Sequence, residues 1–363
     1  MRQNDPNHPK IGLAFAGGGG KGAYQIGVWK AMREYRLDTM VAAVAGTSVG
    51  GLNAALFVQG DYEKAEYIWE HIQPEQILSK SDSYLLPQVV ARAYHRMAGY
   101  PNGYLLPQAV AGAYYRLAGY LLPQAVAGAY HRLADYLLPQ AVVDAYHRMA
   151  GYEGAFFSRD GLEQMIDQYL DLELFTQARL ECYLTGCMVK TDLLYDLKKK
   201  LFSKDIKDSL SLSAYLLPKV RYFKMREESV ETRRQILLAT SAIPVIFSDV
   251  KIRGDYYLDG GLLDNVPVMP LFAQSGCDIV VAVLLGTGTG YRKNVPSGKR
   301  CLEIVPKQEQ GGFFSGTLDF HAKHAKRRIQ QGYEDTVPVC AQIRADIDRE
   351  QRHRQSSRLR KRN

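Results

Sequence analysis

The sequence predicts an α/β fold on a central, mostly parallel sheet, and three observations predict it. First, Ile11-Gly-Leu-Ala-Phe-Ala16 is a short apolar run that leads through glycines into a helical pattern at residues 23–34. Second, the form repeats at once: an apolar run at 41–45, the turn Gly46-Thr47-Ser48-Val49-Gly50, and a helix opening at 51–58. Third, a buried-strand pattern, Ile279-Val-Val-Ala-Val-Leu-Leu285, returns late in the chain. Two strand–turn–helix units within about 60 residues imply crossovers, and crossovers make neighbouring strands parallel.

The elements follow in order. In 23–34 the apolar positions Ile26, Val28, Trp29 and Met32 suit one helix. Residues 183–189 and 220–224 read as strands, 232–242 as a helix stopped by Pro244, and 317–333 as a basic helix. Between them lies a repeat. The segment 84–100, beginning Tyr84-Leu-Leu-Pro87, recurs almost verbatim from Tyr104, Tyr120 and Tyr136; the last three copies have a period of 16. Proline is favoured in a helix's first turn, and Leu122, Val126, Ala129, Tyr130 and Leu133 fall on one helical face. Each unit is therefore expected to form one helix of about 11 residues. A tolerated surface insertion and a helical cap or membrane-contacting arm both fit the array. Without residues 84–152 the chain has 294 residues, a size suited to one domain. The expected plan is a disordered N-terminus at 1–10, a main domain at 11–335 interrupted by an inserted helical repeat segment at 84–152, and a C-terminal extension at 336–363.

Composition narrows the classes. At 363 residues and 46% hydrophobic, the chain can bury a sizeable core. No apolar run approaches the ~18 residues of a membrane span, and the polar first ten residues do not read as a secretory signal. The five cysteines lack paired metal-ligand spacing and read as reduced thiols of a cytoplasmic protein. The net charge is +8, but residues 351–363 hold six basic side chains and no acid, leaving about +2 for the rest. The basicity thus belongs to a tail expected to be disordered.

Three motifs carry chemistry. Gly46-Thr47-Ser48-Val49-Gly50 matches G-x-S-x-G between a strand and a helix, the context of a nucleophile on a sharp turn; an ordinary turn is the alternative. The loop from Gly17 to Gly22 offers backbone amides that can converge on an anion. It fails the P-loop pattern but matches the dinucleotide pattern at Gly17, Gly19 and Gly22, so a dinucleotide site and an oxyanion hole both remain open. Leu258-Asp259-Gly260-Gly261 places a carboxylate before two glycines, which permits close approach to another turn; a solvated Asp-Gly turn is the plain alternative.

In this order the three motifs resemble the patatin-like phospholipase family, of bacterial type with a tandem-repeat insertion. Ser241-Ala-Ile-Pro-Val-Ile-Phe247 and Asp264-Asn-Val-Pro267 support the resemblance. It covers about 11–83 and 154–285, and the repeat array departs from the family pattern. The resemblance implies a three-layer α/β/α sandwich and a serine acyl hydrolase acting on phospholipids, lysophospholipids or related acyl esters. It implies Ser48 as nucleophile, Asp259 as its base in a Ser–Asp dyad, and the backbone of Gly18, Gly19, Gly20, Lys21 and Gly22 as oxyanion hole. Gly46, Thr47, Val49 and Gly50 would form the nucleophile elbow. His321 and His324 follow Asp259, but their basic neighbours make a solvated helix the simpler reading. Lys21 reads equally as a solvated side chain or as a helper for a phosphate head group. No cofactor, metal or specific nucleic acid is expected; peripheral membrane contact through the basic tail is one reading, and the oligomeric state is left open. The rival classes are a dinucleotide-binding oxidoreductase, with Asp38 roughly placed for a ribose, and a non-catalytic interaction protein using the repeats.

Overall fold

The computed structural model describes residues 9–80, 157–189, 218–243, 246–287 and 295–360; the repeat array at 84–152 lies outside them. β1 (Ile11–Phe15) leads through a 3-10 turn (Gly19–Gly22) into α1 (Ala23–Glu34). Then come β2 (Val41–Thr47), α2 (Val49–Gln59), α3 (Tyr62–His71) and α4 (Pro74–Ile77). β3 (Ser79–Lys80) pairs antiparallel with β4 (Phe157–Ser158). α5 (Asp160–Tyr169), α6 (Leu174–Gln177), β5 (Glu181–Val189) and β6 (Lys219–Lys224) follow. α7 (Val230–Thr240) is capped by Ser229, whose hydroxyl accepts from the Thr232 amide at 3.2 Å. β7 (Val250–Ile252), β8 (Asp255–Asp259), α8 (Met269–Ala273), β9 (Ile279–Val283), β10 (Arg300–Ile304) and α9 (Ala322–Arg360) complete the chain.

The main sheet runs β10-β9-β1-β2-β5-β8-β7. The pairs β10–β9, β9–β1, β1–β2 and β2–β5 are parallel, and β8, β7 and β6 supply the antiparallel pairings. Helices cover both sides, giving the α/β/α arrangement. That is why β1 and β9 are apolar at every position: each of their five residues is buried.

β5 is the pivot. Its residues 183–185 pair with β2 and with β6, and residues 186–188 pair with β6 and with β8. A strand has two edges, so β6 occupies one, and β2 and β8 share the other, end to end. β2 runs parallel to β5 and β8 antiparallel, so their C-terminal ends meet head to head. Thr47 pairs with Thr185, and Asp259 with the next residue, Gly186.

The C-terminal helix corrects two expectations. The basic helix does not end at residue 333, and residues 351–360 are not a disordered stretch: one helix runs from Ala322 to Arg360. A buried stripe, Ala325, Ile329, Thr336, Cys340, Ile343 and Ile347, at helical spacing carries the helix past residue 333. α9 meets α1 almost backbone to backbone. A Cβ on Gly27 would stand 1.9 Å from the Ile329 carbonyl oxygen, and one on Gly332 would stand 2.0 Å from that of Tyr24. No helix among the described residues is long and apolar enough to cross a membrane.

Candidate active site

Ser48 sits where β2 becomes α2 with no loop between them. Its backbone is at φ 57°, ψ −131°, a conformation that costs a residue with a Cβ about 1–3 kcal/mol. The surroundings enforce it. A Cβ on Gly46 would stand 2.2 Å from the Gly50 carbonyl oxygen, and one on Gly50 would stand 2.3 Å from that of Phe15. Thr47 donates its hydroxyl to the Asp264 carbonyl at 2.9 Å, and the Ser48 amide donates to Thr240 Oγ1 at 3.0 Å. Val49 is buried in the first turn of α2. The helix N-terminus lies directly behind the serine, where it favours negative charge.

Asp259 ends β8 and is buried. Its carboxylate accepts from the Gly261 amide at 2.7 Å. Burial drives its pKa up, while hydrogen bonds from the Ser48 side chain and the Gly261 amide pull the other way; the balance stands at about 6, against 3.8 ordinarily.

The glycine loop closes the same corner. A Cβ on Gly17 would lie 3.0 Å from Ser48 Cβ. Asn265 holds the loop from the side of Asp259: the Gly17 amide donates to its carbonyl at 3.1 Å, and its side-chain amide donates to the Gly17 carbonyl at 3.2 Å. Asn53 donates to the Gly22 carbonyl at 3.0 Å and accepts from Trp69 at 2.9 Å. Behind the loop Arg328, 1% exposed, donates to the Gly20 carbonyl at 3.1 Å and to Asp319 Oδ2 at 2.8 Å. Among the described residues, the amides of Gly18, Gly19 and Gly20 donate to no other residue, whereas that of Lys21 already donates to the Gly18 carbonyl at 3.3 Å. The side chain of Lys21 does not line the cleft beside Ser48; its Cε packs against Gly316. Burial, and then the charge of Arg328, lower its pKa.

A cleft of about 750 Å³, counted to its open mouth, runs from Ser48 and Gly19 between α2, α3 and α5. Its walls are almost wholly apolar, with Val49, Leu52, Ile68, Met165, Phe247 and Phe320 among them. No histidine lines it among the described residues. His321 is exposed and His324 half-buried, and neither is merely solvated: both contact Asp319, at 2.8 and 2.7 Å. Burial opposes ionisation of Asp319, yet bonds from His321 and His324 and the charge of Arg328 hold its pKa below the ordinary value.

Sequence reading missed the supporting residues Thr240, Arg328 and Asp319, and quoted Asn265 only as part of a motif. A basic residue in a basic helix gives no sign of being buried. Asn265 did carry a signal, because it follows the Asp-Gly-Gly turn closely enough to reach back across it.

Comparison with curated proteins gives no match. Fourteen chains of solved structures match. One is the crystal structure of VipD from Legionella pneumophila, 14% identical, with a TM-score of 0.46, the match covering 93% of this chain and 67% of that one. A family model described as patatin-like phospholipase matches residues 13–272, and this span takes in most of the sheet, Ser48, the glycine loop and Asp259. The chain therefore belongs to the patatin-like phospholipase family, a family of lipid acyl hydrolases.

Proposed function

We propose that the protein is a serine hydrolase of fatty-acyl esters, with phospholipids or lysophospholipids as its substrate class. Ser48 is the nucleophile and Asp259 its base. The observation that carries the reading is the apolar cleft opening onto Ser48, with the buried Asp259 carboxylate near enough for the serine hydroxyl to lower its pKa. An acyl chain lies in the cleft and its carbonyl carbon meets Ser48 Oγ. Asp259 takes the hydroxyl proton as the Oγ–C bond forms. It then gives that proton to the leaving alcohol as the acyl-serine forms, and water attacks in a second step on the same base.

An aspartate at its usual pKa is a poor base for a hydroxyl, and burial brings Asp259 closer to neutrality. The oxyanion is assigned to the free amides of Gly18, Gly19 and Gly20, each such donor being worth roughly 3–4 kcal/mol. Two features weigh against the dinucleotide reading. The outer side of the glycine loop is filled by chain, since a Cβ on Gly19 would stand 1.9 Å from the Thr317 carbonyl oxygen. Asp38 lies before β2 rather than at its end, where a ribose partner belongs.

The deciding experiment is labelling with a fluorophosphonate probe beside an assay on phospholipid vesicles and a soluble ester. Wild type is expected to be labelled on Ser48 and to release fatty acid, and Ser48→Ala to do neither. Labelling elsewhere, or full activity in Ser48→Ala, rejects the assignment.

A further inference from the structure

At the entry to α9 three side chains outside the cleft converge. Asp319 Oδ1 lies 2.8 Å from His321 Nδ1, and Asp319 Oδ2 lies 2.7 Å from His324 Nδ1. One ligand atom from each of the three residues lies within 4.8 Å of the other two. The carboxylate is buried, at 8% side-chain exposure, while the imidazoles are 64% and 44% exposed. We propose that Asp319, His321 and His324 form a three-ligand site for a first-row transition metal ion of the zinc type. This proposal is independent of the acyl-hydrolase reading.

The donor set selects the ion. Two imidazole nitrogens and one carboxylate suit Zn²⁺ and its neighbours, whereas Ca²⁺ and Mg²⁺ take oxygen donors. Zinc–ligand bonds of about 2.0–2.2 Å place neighbouring donors of a tetrahedral site about 3.3 Å apart. Asp319 meets the two imidazoles through different oxygens, and both N–O separations are about 0.5 Å or more below that spacing, so the cluster is a closed-up form that must open for one carboxylate oxygen and both nitrogens to share an ion.

The movement falls to the histidines. Asp319 is fixed by Arg328 Nη2 at 2.8 Å, so the opening falls to the imidazoles, which are less buried than the carboxylate. Each neutral ring carries its proton on one nitrogen only, so passing it from Nδ1 to Nε2 frees the Nδ1 lone pair with no net release of protons. Arg328 acts in two directions. It orients the carboxylate, as partners of metal ligands commonly do, and its charge repels the cation. The affinity is therefore expected to fall below that of closed structural zinc sites. Water or another ligand fills the remaining position, as in open three-ligand sites.

The test is calorimetric titration of the chelator-treated, dialysed full chain with ZnCl₂ at neutral pH, with thermal unfolding measured with and without Zn²⁺. Wild type is expected to bind one equivalent and to gain in Tm, because an ion that binds only the folded state stabilises it. His321→Ala and His324→Ala are expected to lose at least about tenfold in affinity, and the gain in Tm with it. A metal-free Tm equal to that of wild type establishes that a variant is folded. A measurement free of variants is the visible absorption of the Co²⁺-loaded wild type, expected to be that of a low-coordinate nitrogen–oxygen site. No saturable binding by wild type, no such absorption, or affinity unchanged in either histidine variant overturns the assignment.

Discussion

At the level of single residues, Asp259 ties activity to instability. Its carboxyl has a folded pKa of about 6 against an ordinary 3.8, so the folded state holds the proton more tightly than the unfolded chain does. Its contribution to stability is therefore greatest below pH 3.8, declines as pH rises to about 6, and is level above that. Asp259→Asn keeps the shape of the protonated acid and removes the charge. It is expected to abolish hydrolysis while raising stability at pH 8 by up to about 3 kcal/mol, with no gain below pH 3.8. Denaturant unfolding of both proteins across this range measures the difference. A variant less stable than wild type at pH 8 contradicts the assigned cost of burial. In wild type, kcat/KM is expected to fall about tenfold per pH unit below the pKa of about 6 and to level off above it. Ser48 holds a second reserve of strain, in its φ of 57°. Ser48→Gly and Ser48→Ala both lose the hydroxyl, but only glycine relieves the backbone. The glycine variant is expected to be more stable by about 1 kcal/mol, read from denaturation midpoints.

Among the elements, α9 matters most to the site, because it reaches back across 308 residues to the glycine loop through Arg328. The guanidinium binds Gly20 and Asp319 with one nitrogen, and Gln310, Ser315 and Asp319 with the other. Lysine keeps the charge but cannot span this set, because it is a point donor rather than a fork. Arg328→Lys is expected to fold and to lower kcat by about 10–100-fold while KM changes little, since a displaced amide is lost mainly in the transition state. Steady-state kinetics on a soluble ester checks this. A rise in KM at unchanged kcat contradicts a role for Arg328 in placing the loop. The same helix marks the limit of sequence reading. α1 could be read to its ends because its apolar face is uninterrupted by charge. The stripe of α9 is as regular, but arginines and lysines surround it, and residues 351–360, beyond its last buried position, were expected to be disordered. Ser48 and the glycine loop were legible because each is encoded within a few residues. The head-to-head meeting of β2 and β8 on β5 was not, because it depends on pairing between segments far apart in the chain.

In the molecule as a whole, the described residues on either side of the repeat array lie together. β3 precedes it and β4 follows it, and the two pair antiparallel, Ser79 with Ser158 and Lys80 with Phe157. Lys80 and Phe157, which flank the segment holding the array, are therefore already held together by pairing within the described residues. Deleting 84–152 leaves residues 81–83 and 153–156 to join Lys80 to Phe157. These seven residues are ample for a turn between paired strands, whose usual connections are about 2–5 residues. Shortening the connection so far lowers the entropy of closing it, a gain on the order of 1–2 kcal/mol. The array also interrupts no strand of the main sheet, so β5 keeps both its edges and Thr47 and Asp259 keep their adjacent register positions. The deletion variant is expected to fold cooperatively, with a Tm equal to or above that of wild type, and to hydrolyse a soluble short-chain ester within a few-fold of the wild-type rate. Assaying the two proteins side by side on a soluble ester and on vesicles then separates the two readings of the array. Equal loss on both substrates assigns it a part in building the site, whereas loss on vesicles alone assigns it a part in reaching the lipid surface.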